Sequence, residues 1–147
     1  MQETPTQEWL AGYIVSASSD AVMCADREGI IRLWNSGAER MFGFSAAEAL
    51  GQSLDLIIPE NLRGRHWDGY ARVMESGSSR YSADLLTAPA IRKDGTRLST
   101  EFSMVMVKDD AGIMLGVAAI IRDVSSRWQR EKELKERVRV LESEKDS

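Results

Sequence analysis

Hydrophobic residues near the N-terminus recur at helical spacing. Trp9, Tyr13 and Ala17 lie four residues apart, with Leu10 and Ile14 beside them. Such spacing places all five on one side of a helix and predicts an amphipathic helix over residues 6–18. A helix with two large aromatic residues on this side would cover a sheet or pair with a copy of itself.

A second helical pattern occupies the C-terminal end, where most side chains are charged. Leu134, Val138 and Leu141 follow one another at steps of four and three. This apolar seam is narrow, which is typical of a two-stranded parallel coiled coil or of a linker to a downstream segment. The alternative is a single solvated helix, because only two heptads are visible.

Strand patterns fill much of the remaining chain. Residues 20–34 read as a hairpin around a polar turn that Gly29 completes. Residues 80–91, 96–107 and 113–124 read as three longer strands, and 96–107 alternates between apolar and polar positions. Residues 113–124 form a nearly continuous apolar run, which predicts a central strand covered on both faces.

Short helices are predicted between the hairpin and the three long strands. Asn35 or Ser36 can cap the first, and Gly43 ends it. Ser45 and Glu48 form a capping box for the second. The order of elements therefore predicts an α+β fold with one antiparallel sheet of about five strands.

Residues 57–74 contain the only histidine of the chain. Helical spacing from Pro59 onward puts Leu62, His66, Gly69 and Val73 on one inward face. An inward imidazole beside the gap left by a glycine suits a flat cofactor whose metal takes an axial ligand. It equally suits an ordinary buried histidine, and the helix pattern by itself does not separate these alternatives.

Composition narrows the class of protein. The 147 residues suit one domain with short extensions, and 43% hydrophobic with 29% charged residues indicates a globular chain. A net charge of −4 argues against a nucleic-acid surface. Cys24 is the single cysteine, so no disulfide can form within the chain, and its apolar neighbours favour a buried, unreactive thiol.

Targeting and catalytic patterns are missing from the sequence. The N-terminus has neither the basic start nor the apolar core of a signal peptide, and no apolar run is long enough to span a membrane. We therefore expect a cytoplasmic protein. One histidine, no glycine-rich phosphate loop and no cluster of metal ligands predict that it is not an enzyme.

Four sequence segments together resemble the PAS domain. They are DAVMCADREGIIRLWN from Asp20, AERMFGFSAAEALG from Ala38, RKDGT from Arg92 and GVAAIIRDVS from Gly116. The resemblance implies a five-stranded antiparallel sheet with short helices on one face. It divides the chain into an N-terminal cap helix (1–19), a PAS core (20–125) and a C-terminal signalling or coiled-coil helix (126–147).

Among PAS subtypes, the chain most resembles the haem-binding sensor domains of rhizobial oxygen-sensor histidine kinases. The segment RGRHWDGY from Arg63 is similar to the helix of that family that carries the proximal iron ligand. The resemblance implies that His66 ligates the iron of haem b. It further implies that Arg72 and Arg80 bind the two propionates, for which solvated surface arginines are the alternative.

The resemblance also shows a departure. The oxygen sensors carry a distal arginine at the position of Leu86, and neighbouring distal positions correspond to Phe102 and Met104. A distal pocket without a polar donor should disfavour oxygen relative to carbon monoxide or nitric oxide. Met104 or Met106 could instead ligate the iron, although methionines at strand spacing are more often core residues.

Two functions follow from these expectations. The first is a haem-binding sensor that detects a diatomic gas or a redox state and signals through its C-terminal helix. It would act as a homodimer on a downstream histidine kinase or another signalling protein. The second is a haem-free PAS module for dimerisation or protein interaction, or for binding another small ligand in the same cavity.

Overall fold

A single antiparallel sheet organises the chain. The structure is a computed structural model that describes residues 4–78 and 85–146. Its five strands lie in the order β2-β1-β5-β4-β3. The strands are β1 (Ala21–Asp26), β2 (Ile31–Trp34), β3 (Leu86–Ile91), β4 (Arg97–Lys108) and β5 (Met114–Asp123). The predicted α+β fold with a five-stranded antiparallel sheet is therefore confirmed.

Helices connect β2 to β3 and extend from both ends of the core. They are α1 (Gln7–Ala17), α2 (Ser36–Phe42), α3 (Ala46–Ala49), α4 (Arg63–Ser76) and α5 (Ser125–Lys145). Two 3₁₀ turns, Leu54–Ile57 and Glu60–Leu62, precede α4, so the α-helix predicted to start at Pro59 begins at Arg63 instead. None of the helices in the described ranges is long and apolar enough to cross a membrane.

The caps predicted for the short helices are present. Asn35 caps α2 through its side-chain oxygen, which accepts a hydrogen bond from the Ala38 amide at 2.9 Å. Gly43 ends α2 with a φ of 84°, a left-handed conformation that glycine adopts without strain. Ser45 and Glu48 form the reciprocal capping box of α3. Local sequence chemistry therefore fixes where these helices begin and end.

One face of the sheet carries the core. Inward side chains of the strands pack against α2, α3 and the first 3₁₀ turn, and Ile31 and Phe42 are fully buried. Cross-strand pairs place Met23, Ala119 and Met104 in one row across β1, β5 and β4. This inner face is the surface over which α4 lies.

The prediction that the last strand is covered on both faces is wrong. β5 is central in the sheet, but its outer side is open, and Ile120 is 41% exposed. Neighbouring outward residues Leu33 and Val105 are exposed as well. The reason is that α1 contacts α2 rather than folding across the outer face, which leaves its own apolar residues exposed.

Asn35 joins three elements at one buried point. Its side-chain oxygen accepts hydrogen bonds from the amides of Val22 in β1 and Ala38 in α2. Its side-chain nitrogen donates to the carbonyls of Val15 in α1 and Asp20 before β1. Because the residue is only 5% exposed, water cannot easily replace these partners.

We expect Asn35→Ala to lower the free energy of unfolding by about 2–4 kcal/mol, because two backbone amides lose their acceptor. Chemical denaturation measures this loss. Ser36→Ala is the matched control: it removes one exposed hydrogen bond, from Ser36 Oγ to the Ser16 carbonyl, and should cost less than about 1 kcal/mol. Equal losses in the two variants would contradict the role of Asn35.

Candidate ligand cavity at His66

A cavity lies between α4 and the inner face of the sheet. Its volume is about 210 Å³, well over ten times the roughly 10–15 Å³ that one water molecule requires. Small residues create the space on the sheet side, where Ala25, Ala88, Ala90 and Ala119 line the wall. Because these side chains end at the Cβ atom, they leave the space between the sheet and α4 unfilled.

Three polar side chains line this otherwise apolar cavity, and two of them are already hydrogen-bonded. The Thr100 hydroxyl donates to the Ala88 carbonyl at 2.6 Å, and the Tyr70 hydroxyl donates to the Asp26 carbonyl. His66 is the third. Across the described ranges, its Nδ1 is the one buried side-chain nitrogen or oxygen without a hydrogen-bond partner. The cavity therefore offers a ligand a single uncommitted polar side chain.

Two aromatic residues of α4 hold the imidazole in place. The Trp67 ring meets it edge to face with centroids 4.7 Å apart, and the Tyr70 ring lies 5.8 Å away. Trp67 is itself fixed, because its indole nitrogen donates to the Asp55 carboxylate at 2.7 Å. The indole also covers Gly29, where an added Cβ would lie 2.1 Å from it.

Burial sets the protonation state of His66. Removal from water lowers the pKa of the imidazole, and the Asp55 carboxylate opposes this shift only in part. The ring is therefore neutral near pH 7. A neutral imidazole can accept a hydrogen bond or ligate a transition metal through one nitrogen.

The residues predicted to form the site are only partly brought together. His66, Phe102 and Met104 line the same cavity. Leu86 pairs with Phe102 across β3 and β4 and is half-buried, but it is not among the lining residues. Arg72 is exposed on α4, and Arg80 lies outside the residues that the structure describes.

Sequence reasoning missed the hydroxyls of Tyr70 and Thr100. Tyr70 follows His66 by four residues, so helical spacing could have placed it beside the histidine. Thr100 lies in the alternating pattern of residues 96–107, which predicts a position on one face of a strand but no hydrogen-bond partner. Its bond to Ala88 depends on the pairing of β3 with β4, which no local pattern reveals.

The donor chemistry of the cavity fits a haem. A single imidazole supplies one ligand, which suits a metal whose other positions are filled by a macrocycle. The described residues contain no group of three or more histidine, cysteine, aspartate or glutamate side chains that could hold a bare metal ion. The enclosed space of about 210 Å³ is smaller than a porphyrin.

Comparison with known proteins agrees with this architecture. The family profile described as the PAS fold matches residues 15–129. Sensor protein FixL of Bradyrhizobium diazoefficiens is 28% identical over 131 residues, covering 89% of this chain and 26% of the relative. Oxygen sensor protein DosP of Escherichia coli is 26% identical over 95 residues, covering 65% of this chain and 12% of the relative. The chain thus spans about a quarter or less of the length of these relatives.

Solved structures share the fold at lower identity. The PAS domain of a protein from Colwellia psychrerythraea superposes with a TM-score of 0.68 at 22% identity, covering 80% of this chain and 96% of that domain. An RNA-binding light-oxygen-voltage receptor gives a TM-score of 0.73 at 21% identity, covering 94% of this chain and 41% of the receptor. The resemblance drawn from the four sequence segments is confirmed, and the chain belongs to the PAS-fold family.

Proposed function

We propose that this PAS domain is a haem-binding sensor module that detects a diatomic gas or a redox state and signals through α5. The observation that carries the proposal is the Nδ1 atom of His66, which is buried at an apolar cavity without a hydrogen-bond partner. The similarity to sensor protein FixL and to oxygen sensor protein DosP supports the same proposed function.

Each part of the cavity has a role in this proposal. His66 ligates the iron of haem b, and Trp67 and Tyr70 keep its ring in one orientation. Phe102 and Met104 exclude water from the opposite wall. The haem supplies an iron that binds diatomic ligands or changes its oxidation state.

The two propionates require cationic partners at the edge of the cavity. Arg72 lies on the exposed side of α4, six residues after His66. We assign Arg72 and Arg80 to the propionates, because a guanidinium binds a carboxylate through two parallel hydrogen bonds.

A set of hydrogen bonds links the cavity wall to α5. Asp123, at the end of β5, accepts from the Ser125 amide at 2.9 Å and pairs with Arg92 at 3.1 Å. The Ser125 hydroxyl accepts from the Ser99 amide of β4 at 2.9 Å. Because β4 also carries Phe102 and Met104, we propose that a shift of this strand alters the start of α5.

Haem binding is tested on untagged protein. We expect the purified domain to bind one equivalent of hemin and to show a Soret band. His66→Gly should lose most of this binding, because the chain has no second histidine to replace the ligand. Absorption spectroscopy measures both. Added imidazole should restore binding to His66→Gly by filling the vacated position.

The rescue separates loss of the ligand from loss of the fold. Circular dichroism should show the same secondary structure in His66→Gly as in the parent. A colourless parent that cannot be reconstituted with hemin would contradict the proposal, as would unchanged haem uptake by the variant.

The cavity volume favours a second candidate. About 210 Å³ accommodates a compact, mostly apolar molecule without movement of α4. Such a ligand would carry one hydrogen-bond donor to meet the neutral His66. In this case the domain is a haem-free module for small-ligand binding or protein interaction. Stabilisation by small phenols but not by hemin would support it.

We propose a homodimer as the signalling unit, acting on a histidine kinase or another signalling protein. Trp9 and Tyr13 stack on α1 with ring centroids 5.3 Å apart, and both are more than half exposed. Leu134 and Leu141 are exposed along α5. An apolar stripe on each terminal helix is best explained by a partner that covers it.

Changing the α1 stripe should weaken the dimer. We expect the double variant Trp9→Ser with Tyr13→Ser to shift the protein toward monomer, with a dimer dissociation constant raised about tenfold or more by the loss of two aromatic contacts. Sedimentation equilibrium measures the constant. The control Gln7→Ser with Glu8→Ser changes polar residues of the same helix. A parent that is monomeric at every concentration would contradict the dimer.

A further inference from the structure

We infer that the cavity between α4 and the sheet binds one soft monovalent metal ion, Cu(I), through the thioethers of Met23 and Met104 and the imidazole of His66. All three side chains line this cavity. The inference goes beyond the proposed haem site and does not depend on haem, because every ligand to the ion comes from the chain itself.

Strand pairing places the two methionines on either side of one small residue. Ala119 of β5 lies opposite Met23 of β1 and opposite Met104 of β4, and its side chain also lines the cavity. Because neighbouring strands lie about 4.8 Å apart, the backbones of the two methionines are about 10 Å from each other. Two unbranched side chains with flexible bonds can reach a shared ion across the space that the alanine leaves.

The third ligand comes from the helix. His66 lies on α4, across the cavity from the sheet, and its Nδ1 has no hydrogen-bond partner. A neutral imidazole carries one proton, so one of its two nitrogens is available to bind a metal. Two sulfur ligands from the sheet and one nitrogen ligand from α4 therefore surround the same space.

This set of ligands favours a soft ion of low charge. Thioether sulfur is neutral and polarizable and selects Cu(I), whereas Mg²⁺ and Ca²⁺ prefer carboxylate and carbonyl oxygen. Among the described residues that line the cavity, none carries a carboxylate or another charged group apart from a protonated histidine. A doubly charged ion would therefore stay uncompensated in apolar surroundings. The aromatic rings of Tyr70 and Phe102 line the same space and can attract a single positive charge.

Water competes weakly for the ion in this cavity. Met23 is only 3% exposed, and the hydroxyls of Thr100 and Tyr70 already donate to backbone carbonyls. A water molecule needs two to four polar partners to stay in a buried space, and the cavity leaves few of them free. The thioethers are therefore shielded from the solvent that would otherwise solvate Cu(I).

The test measures Cu(I) alone, without haem. All proteins carry Cys24→Ser, because a thiolate binds Cu(I) strongly and Cys24 lies between two cavity-lining residues on the opposite face of β1. Cu(I) is titrated without oxygen in competition with the chromophoric chelator bicinchoninate, and absorption gives the dissociation constant. The variants are Met23→Leu and Met104→Leu, which conserve volume and remove sulfur.

We expect the parent to bind one equivalent of Cu(I), and each of the two variants to bind it about tenfold or more weakly, at least the loss caused by removing a group that only supports a ligand. Met106→Leu is the matched control, because Met106 is two residues from Met104 on β4 but is not among the lining residues. It should bind Cu(I) as the parent does. Zn²⁺ should not bind under the same conditions.

Nuclear magnetic resonance identifies the sulfur ligands directly. The chain has seven methionines, and their ¹³C-labelled methyl groups report on each thioether. One equivalent of Ag(I), a diamagnetic ion with the same preference for sulfur, should shift two of these signals. The Met23→Leu and Met104→Leu spectra assign them, and this readout holds even if one of the two variants does not fold.

Each outcome decides the inference. Stoichiometric Cu(I) binding that both cavity variants weaken and Met106→Leu preserves supports the site, as does the shift of the Met23 and Met104 methyl signals. A parent that does not bind Cu(I), equal affinity in the cavity variants and the parent, or shifts confined to other methionines would overturn it. None of these results bears on hemin uptake, so the haem site stands or falls by its own test.

Discussion

The burial of one imidazole nitrogen is the constraint on which the rest of the site depends. The Nδ1 atom of His66 is removed from water without gaining a hydrogen bond in return, which costs free energy until a ligand meets this nitrogen. The surroundings favour the neutral form, because burial lowers the pKa of the ring. The fold thus maintains an unsatisfied nitrogen at the wall of an apolar space, and a ligand that meets it removes this cost.

Long-range contacts keep that space open. Alanines on the sheet side leave room. Trp67 and Tyr70 anchor α4 by donating hydrogen bonds to the Asp55 carboxylate and the Asp26 carbonyl, respectively. The helix is therefore tied to the β1–β2 turn rather than packed down onto the sheet. The core around Ile31 and Phe42 also includes Trp67 and Tyr70 among the residues packed against it, so α4 and the core support each other.

Sequence patterns predicted the parts of the fold that local chemistry determines. Asn35, Gly43 and the Ser45–Glu48 box marked helix ends correctly, because capping depends on residues three or four positions apart. The prediction that β5 is covered on both faces was wrong, because that coverage depends on where the distant α1 packs. The same limit applies to the cavity. Its inward histidine could be predicted from helical spacing, but the hydrogen bonds of the Thr100 and Tyr70 hydroxyls depend on strand pairing and tertiary contacts.

The most direct test follows the single histidine itself. Untagged protein labelled with ¹⁵N-histidine gives imidazole signals from His66 alone, so any change in them reports on this ring. The account predicts the shifts of a neutral, water-shielded imidazole in the free domain, and displacement of the ring-nitrogen signals by one equivalent of hemin. Ring signals of a solvent-exposed imidazole that titrates near pH 6.5, about the ordinary value, and that hemin leaves unchanged, would contradict it.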